Sequence, residues 1–299
     1  MYIKKIAQLT GHNAGIYALT KGTDEHSFLS AAGDGWIVQW DLKAPDPGRL
    51  LAKVDDRVFS VHYLEDEQKV VAGNMNGGVH WVDLLDPDRT KNIAHHQMGI
   101  YDIKRVGGYL LTAGGDGKLT RWSIAEMKAI ESYQLANQSL RCIAFSKKRH
   151  ELAIGASDHS IYILNAATLY LKKRIEKAHE NSVFSLQYSP NGKHLVSGGR
   201  DAMMKVWDID NNFENISSQP AHWFTINSIA FHPEGKIFAT GSRDKSIKIW
   251  DAENYQLLKV LELSRDGGHL NSVNGLLWHP FKNTLISCSD DRTIILWRE

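Results

Sequence analysis

The sequence predicts an all-β chain built from seven copies of one four-stranded antiparallel sheet, and three observations carry that prediction. An aromatic residue, often followed by Asp, recurs along the chain. Trp40-Asp41, Trp207-Asp208 and Trp250-Asp251 are the clearest copies, and Trp122-Ser123 and Trp297-Arg298 fill the same slot. With Val82 and Leu164 as degenerate copies, the slot falls at 40, 82, 122, 164, 207, 250 and 297, at intervals of 42, 40, 42, 43, 43 and 47 residues. A period of ~40–45 residues suits one four-stranded unit. Second, an acid or amide stands six residues before each slot: Asp34, Asn76, Asp116, Asp158, Asp201, Asp244 and Asp291. Third, His12, His179, His222 and His269 each precede their Asp by 22 residues, and His96 precedes Asp116 by 20. Ser30, Thr112, Ser197, Thr240 and Ser287 each stand four residues before the acid.

Local chemistry supports the strands. Lys248-Ile249-Trp250 and Ile294-Ile295-Leu296-Trp297 are β-branched and aromatic, as strands prefer. Asp34-Gly35, Asn76-Gly77, Asp116-Gly117 and Asn191-Gly192 separate such runs and read as hairpin turns. No segment reads as a long amphipathic helix. The last copy stops at Trp297-Arg298-Glu299, one strand short of a full sheet. Ile3–Leu9, before the first Gly-His, is expected to supply that strand and protect open edges. The whole chain, 1–299, then forms one domain whose last sheet joins about 270–299 to 2–9.

Bulk properties narrow the class. The 299 residues carry 35 Lys or Arg against 34 Asp or Glu, a formal net charge of +1. That balance argues against a dedicated nucleic-acid binder, which shows a basic excess. Hydrophobic residues make up 42%, with no window of apolar residues long enough for a bilayer. The N-terminus lacks the apolar region of a secretory signal. Cys142 and Cys288 follow no metal or disulfide spacing and read as buried thiols in a reducing compartment. The expected location is cytoplasmic. The 14 histidines include no His-x-x-x-His pattern; five are repeat markers, and His95 reads as a solvated loop residue. No P-loop or nucleophile elbow is present. No cofactor is expected.

These repeats resemble the WD40-repeat family, over about residues 2–297. The resemblance implies a seven-bladed β-propeller, closed by the N-terminal strand completing the last blade. It also implies that the His, Ser/Thr, Asp and Trp of a blade form one buried hydrogen-bonded chain. The sets are His12, Ser30, Asp34 and Trp40; His96, Thr112, Asp116 and Trp122; His179, Ser197, Asp201 and Trp207; His222, Thr240, Asp244 and Trp250; and His269, Ser287, Asp291 and Trp297. Blade 2 offers Val54, Ala72 and Asn76 instead. Blade 4 has Ala136, Ile154 and Leu164 and keeps only Asp158. Apolar packing should hold those two. Although Ser, His and Asp recur together, their recurrence with Trp in five blades argues for architecture rather than a catalytic triad.

The informative residues are those that vary between repeats. In this family the top opening is lined by the residue after the first apolar position of each inner strand, here Tyr17, Phe59, Tyr101, Arg141, Phe184, Asn227 and Asn274. Four aromatics there either clamp a partner's Arg or Lys or plug a tapering channel; both readings stay open. A second top position precedes each turn acid: Gly33, Met75, Gly115, Ser157, Arg200, Arg243 and Asp290. Arg200 and Arg243 flank the loop holding His222 and Trp223, a combination suited to an acidic or phosphorylated peptide or to covering backbone. Lys43–Gly48 should lie on the bottom face and Ser264–His269 on top, where loop length invites function.

What the resemblance implies is a non-catalytic scaffold that binds peptides or proteins through its top face, as a single-chain fold within a larger complex. Two alternatives remain. One is a structural subunit held through blade sides, with Tyr255, Leu257 and Leu258 exposed on an outer strand. The other is a propeller enzyme with a small ligand or metal in the channel, which would need convergent carboxylates or histidines.

Overall fold

A computed structural model describes residues 3–299. Seven four-stranded antiparallel sheets account for its strands, and among the described residues the one α-helix is the short turn Leu263–Asp266. Blade 1 runs outward through Ile16–Lys21, Ser27–Ala32, Trp36–Asp41 and Arg49–Lys53. The first strands of successive blades touch one another all the way round, and Val273–His279 of blade 7 returns to Ile16–Lys21. The sheets therefore form a closed ring with their first strands at the axis. In blade 7, Lys4–Leu9 lies outermost and pairs antiparallel with Ile294–Arg298, Leu9 opposite Ile294 and Lys5 opposite Trp297. Tyr2, also assigned to that strand from the sequence, lies outside the described residues.

Each blade is covered on both faces by its neighbours, and so its middle strands read as continuous apolar runs rather than alternating ones. Every residue of Ser27–Ala32 and Thr284–Ser289 is buried. Outer strands keep water on one side: Lys128–Gln134 exposes Lys128, Ile130, Ser132 and its neighbours at the strand's end. The hairpin between second and third strands turns on one left-handed residue in every blade: Gly35, Gly77, Gly117, His159, Ala202, Lys245 and Arg292. At Gly117 a side chain is excluded for a second reason, because a Cβ would lie 2.0 Å from the Ala136 carbonyl oxygen.

Three features differ from the sequence reading. In blade 2 the turn is capped by Asn74, not Asn76: Asn74 Oδ1 accepts from the N–H of Asn76 and of Gly78. His95 is no solvated loop residue. Its ring packs edge-on against Trp122 at 4.7 Å, and its Nε2 meets Thr120 and Ser132 hydroxyls. Tyr255 is buried, not exposed. A left-handed backbone (φ 60°) turns its ring inward over Phe238, and its hydroxyl meets His194 Nδ1 at 2.7 Å.

Candidate functional site

The five full repeat sets are hydrogen-bonded end to end. In blade 5, Trp207 Nε1 donates to Ser197 Oγ at 2.9 Å, Ser197 meets His179 Nε2 at 2.7 Å, and His179 Nδ1 meets Asp201 at 3.0 Å. Blades 1, 3, 6 and 7 repeat the chain through Trp40–Ser30–His12–Asp34, Trp122–Thr112–His96–Asp116, Trp250–Thr240–His222–Asp244 and Trp297–Ser287–His269–Asp291. A neutral imidazole protonated on Nδ1 satisfies every atom: indole N–H to hydroxyl, hydroxyl to Nε2, Nδ1–H to carboxylate. The hydroxyl residues are fully buried, and a substrate does not reach them. In blade 4, Asp158 instead accepts from the Tyr162 hydroxyl and from Arg174. In blade 2 the corresponding positions, Val54, Ala72 and Val82, meet in one apolar cluster, while Trp81 lies on the other face of its strand, buried beside Trp122 with its indole N–H unpartnered.

Electrostatics agree with that proton arrangement. Burial pulls His12, His96 and His222 below the usual histidine range, against the opposing pull of their aspartates. Burial acts to raise Asp116, Asp201, Asp244 and Asp291, but their hydrogen bonds outweigh it and hold all four low. Burial, with the Lys104 and Arg105 charges, pulls His62 in the channel wall down to about 4. These histidines are neutral in the fold, whereas the unfolded chain binds protons from about pH 6.5 downward. Stability is therefore complete above that pH and is lost as pH falls through 6.5 toward 4. Asp102 works in the opposite sense, because burial raises it. Four histidines against one carboxyl give a net loss. Differential scanning calorimetry should show the Tm falling by several degrees between about pH 7.5 and about pH 5; a flat Tm would show that these histidines titrate normally.

The seven mouth residues share one backbone device. In every inner strand the pairing register slips at one residue, and the skipped residues are Tyr17, Phe59, Tyr101, Arg141, Phe184, Asn227 and Asn274. A bulge re-aims the side chain it carries. All but Phe59 line a central channel of about 790 Å³. Tyr17 meets Phe59 edge-on at 5.1 Å, and Phe59 stacks on Tyr101 at 5.7 Å. Arg141 then lies over Tyr101 at 4.3 Å and Phe184 at 4.9 Å, its Nε donating to Ser157 Oγ. The place that a partner's cation would take in a clamp thus already holds the chain's own arginine. The amide half is also tied down. Asn227 donates to Ser272 Oγ and the Val273 carbonyl, and Asn274 to the Ile16 carbonyl and Asp290. Burial and the nearby Asp290 carboxylate push the Tyr17 phenol up, opposed by Arg57.

In blades 2, 3, 5 and 6 the next residue of the inner strand links blade to blade, a role that sequence reasoning missed. Ser60 and Ser185 hydroxyls donate to the Ile100 and Ile226 carbonyls, while Asp102 and Ser228 accept from the Ile143 and Leu276 N–H groups. The missed signal was small or short polar residues at one repeat position.

Around this filled centre the top rim is open. Arg200 and Arg243 are exposed, and neither side chain has a hydrogen bond or ion pair among the described residues. Their backbones are fixed, Arg200 N–H to the Ser182 carbonyl and Arg243 N–H to the Thr225 carbonyl. Between them Trp223 is 86% exposed and Phe224 57%. No three His, Cys, Asp or Glu side chains among the described residues converge to hold a metal, and no helix is long and apolar enough to cross a membrane. Cys142 and Cys288 are buried free thiols, which burial pushes up.

The chain is 24% identical over 163 residues to WD repeat-containing protein 90 of Xenopus tropicalis, covering 51% of this chain and 9% of that protein. It is 22% identical over 215 residues to cilia- and flagella-associated protein 52 of Homo sapiens, covering 69% and 34%. Protein HIRA of Dictyostelium discoideum is 29% identical over 207 residues, covering 69% and 13%. The chain thus spans about a third or less of the length of these relatives. The solved WD40 β-propeller domain of Doa1 superposes with a TM-score of 0.86 at 18% identity, covering 100% of this chain and 97% of that one. The family model described as "WD domain, G-beta repeat" matches residues 3–41, 171–208, 213–251 and 256–298, over half of the chain. The chain belongs to the WD40 family of repeat proteins.

Proposed function

We propose that this propeller is a non-catalytic cytoplasmic scaffold that holds peptides or partner proteins on its top face, as a single-chain fold within a larger complex. One observation carries this reading: Trp223 and Phe224 stand in solvent beside the unpaired Arg200 and Arg243, on backbone fixed by hydrogen bonds to the ring. Trp and Arg dominate the energetics of interfaces, and a fold at equilibrium with water gains nothing from holding an indole out of its core. The mouth residues Tyr17, Phe59, Tyr101, Arg141, Phe184, Asn227 and Asn274 act as a prebuilt floor, while Arg200, Trp223 and Arg243 make the first contacts. The near-neutral charge favours protein over nucleic acid, and two free thiols suit a reducing compartment.

A second reading has its own observation. Leu257 and Leu258 are exposed on the outer strand of blade 6, beside a groove with Arg265 and Asp266, as a subunit held through a blade side requires. Affinity capture from the native host separates the two. Arg200→Glu combined with Arg243→Glu should weaken partner recovery at least tenfold with little change in Tm, while Leu257→Asp with Leu258→Asp leaves it intact. The reverse pattern assigns function to the blade side.

A further inference from the structure

The repeat supplies an internal comparison. The residue after each blade's His position is Asn13, Asp55, Gln97, Asn137, Glu180, Trp223 and Leu270, and every one is exposed. In blades 1, 3, 5, 6 and 7 its N–H donates to that blade's turn aspartate, at 2.8, 3.1, 2.9, 3.0 and 2.9 Å. The backbone is therefore held alike and sends the side chain outward alike. Five copies are hydrophilic, so the fold has no need of an apolar group there. Only the neighbouring blades 6 and 7 carry one, with Leu270 58% exposed.

A groove of about 510 Å³ lies beside Trp223, walled by Val260 and Leu263 and bordered by Lys245, Lys248 and Arg265. Its carboxylates already have partners. Asp244 accepts from His222, Ser246 and the Trp223 N–H, and Glu262 accepts from Ser264 and Arg265. Lys248 donates to the Ala221 carbonyl. The Lys245 ammonium has no partner among the described residues, and the Arg243 and Arg200 side chains continue the same unsatisfied positive charge across blades 6 and 5. The far wall is braced: Lys5 donates to the Gly267 carbonyl, and Lys259 pairs with Asp266 at 3.3 Å.

We propose that this groove docks an acidic segment of a partner protein, which inserts one bulky apolar side chain between Trp223 and Leu263 and sets its carboxylates against Lys245, Arg243 and Arg200. The inference rests on the reading of the top face as the binding surface and names the chemistry of what binds there. Apolar walls supply area, and unpaired cations select charge and orientation.

The test is a random peptide display library panned on the full chain, followed by fluorescence anisotropy of the selected peptides. Enriched sequences should carry an aromatic or large aliphatic residue among two or more Asp or Glu. Their affinity should fall at least tenfold in Trp223→Ala and in Lys245→Glu, and stay unchanged in Asn137→Ala, the same repeat position on blade 4. All three sites are exposed, so the variants keep the fold, as their Tm values would show. Basic or neutral peptides that still depend on Trp223 overturn the acidic assignment and leave top-face binding standing. Peptides indifferent to Trp223 and Lys245, or no enrichment over bare support, overturn the groove; loss of captured partners in the Arg200/Arg243 reversal would even then uphold the top face.

Discussion

A chain lacking residues 3–9 should lose most or all of its cooperative folding. Those residues form no independent element; they are the outer strand of blade 7, held by backbone pairing to Ile294–Arg298. Ile3 and Leu9 are buried, Ile3 in the blade 6–7 cluster with Trp297 and Leu9 in the blade 7–1 cluster with Trp40. Burying an aliphatic side chain contributes about 1.5–3 kcal/mol. Two such side chains and a row of strand hydrogen bonds together amount to roughly 5 kcal/mol, against a total of about 5–15 kcal/mol for a typical domain. The loss falls at the seam where the first and last parts of the chain meet, and it removes the Ile3 carbonyl that Lys259 donates to and the Lys5 ammonium that holds the Gly267 loop. Urea denaturation followed by circular dichroism reads the effect, and a synthetic peptide of residues 3–9 added in trans should restore part of it. An unchanged urea midpoint would mean that the ring closes without this strand.

The repeat made the architecture readable, because an error in one copy is corrected by six others. Slot spacing placed the third strands, the shortage of chain after Trp297 placed the closing strand, and the register of blade 2 sets Val82 opposite Val70 as Trp40 lies opposite Phe28. What the repeat hides is geometry that all copies share without a distinctive residue. The inner-strand bulge is carried by Tyr, Phe, Arg and Asn alike, so no residue type announces it. It decides where Arg141 points, and with it whether the aromatic arc is vacant or filled. Tyr255 illustrates a different gap: an aromatic assigned to an outer strand reads as exposed, and only its left-handed backbone and a partner 61 residues away, His194, turn it inward. Trp223 was legible as a top-face residue, but the groove beside it is walled by Val260 and Leu263, which lead into a loop whose length alone was visible.

Blades 4 and 6 show why the hydrogen-bonded sets tolerate wholesale loss and not piecemeal loss. Blade 4 carries Ile154 where blade 6 carries Thr240, both fully buried, and the packing is unbroken. It succeeds because Ala136 and Leu164 stand where His222 and Trp250 stand in blade 6, so no polar partner is stranded. Replacing both members of a buried pair is close to neutral, whereas removing one exposes the other to the full desolvation penalty of about 1–3 kcal/mol. Thr240→Val keeps volume and β-branching but deletes the oxygen that accepts from Trp250 Nε1 at 2.8 Å and meets His222 Nε2 at 2.8 Å. Two groups are stranded at once, in a site buried from solvent. The variant should lose about 2–5 kcal/mol, a large share of the whole, with its urea slope unchanged. The polar origin is checked by a cycle with Trp250→Phe, which removes one stranded donor. In the Thr240→Val background that second change should cost about 1 kcal/mol less than in the parent, a coupling typical of residues sharing one network. Additivity within about 0.3 kcal/mol would mean that the tryptophan stabilises blade 6 by packing alone and that its hydrogen bond to Thr240 contributes nothing.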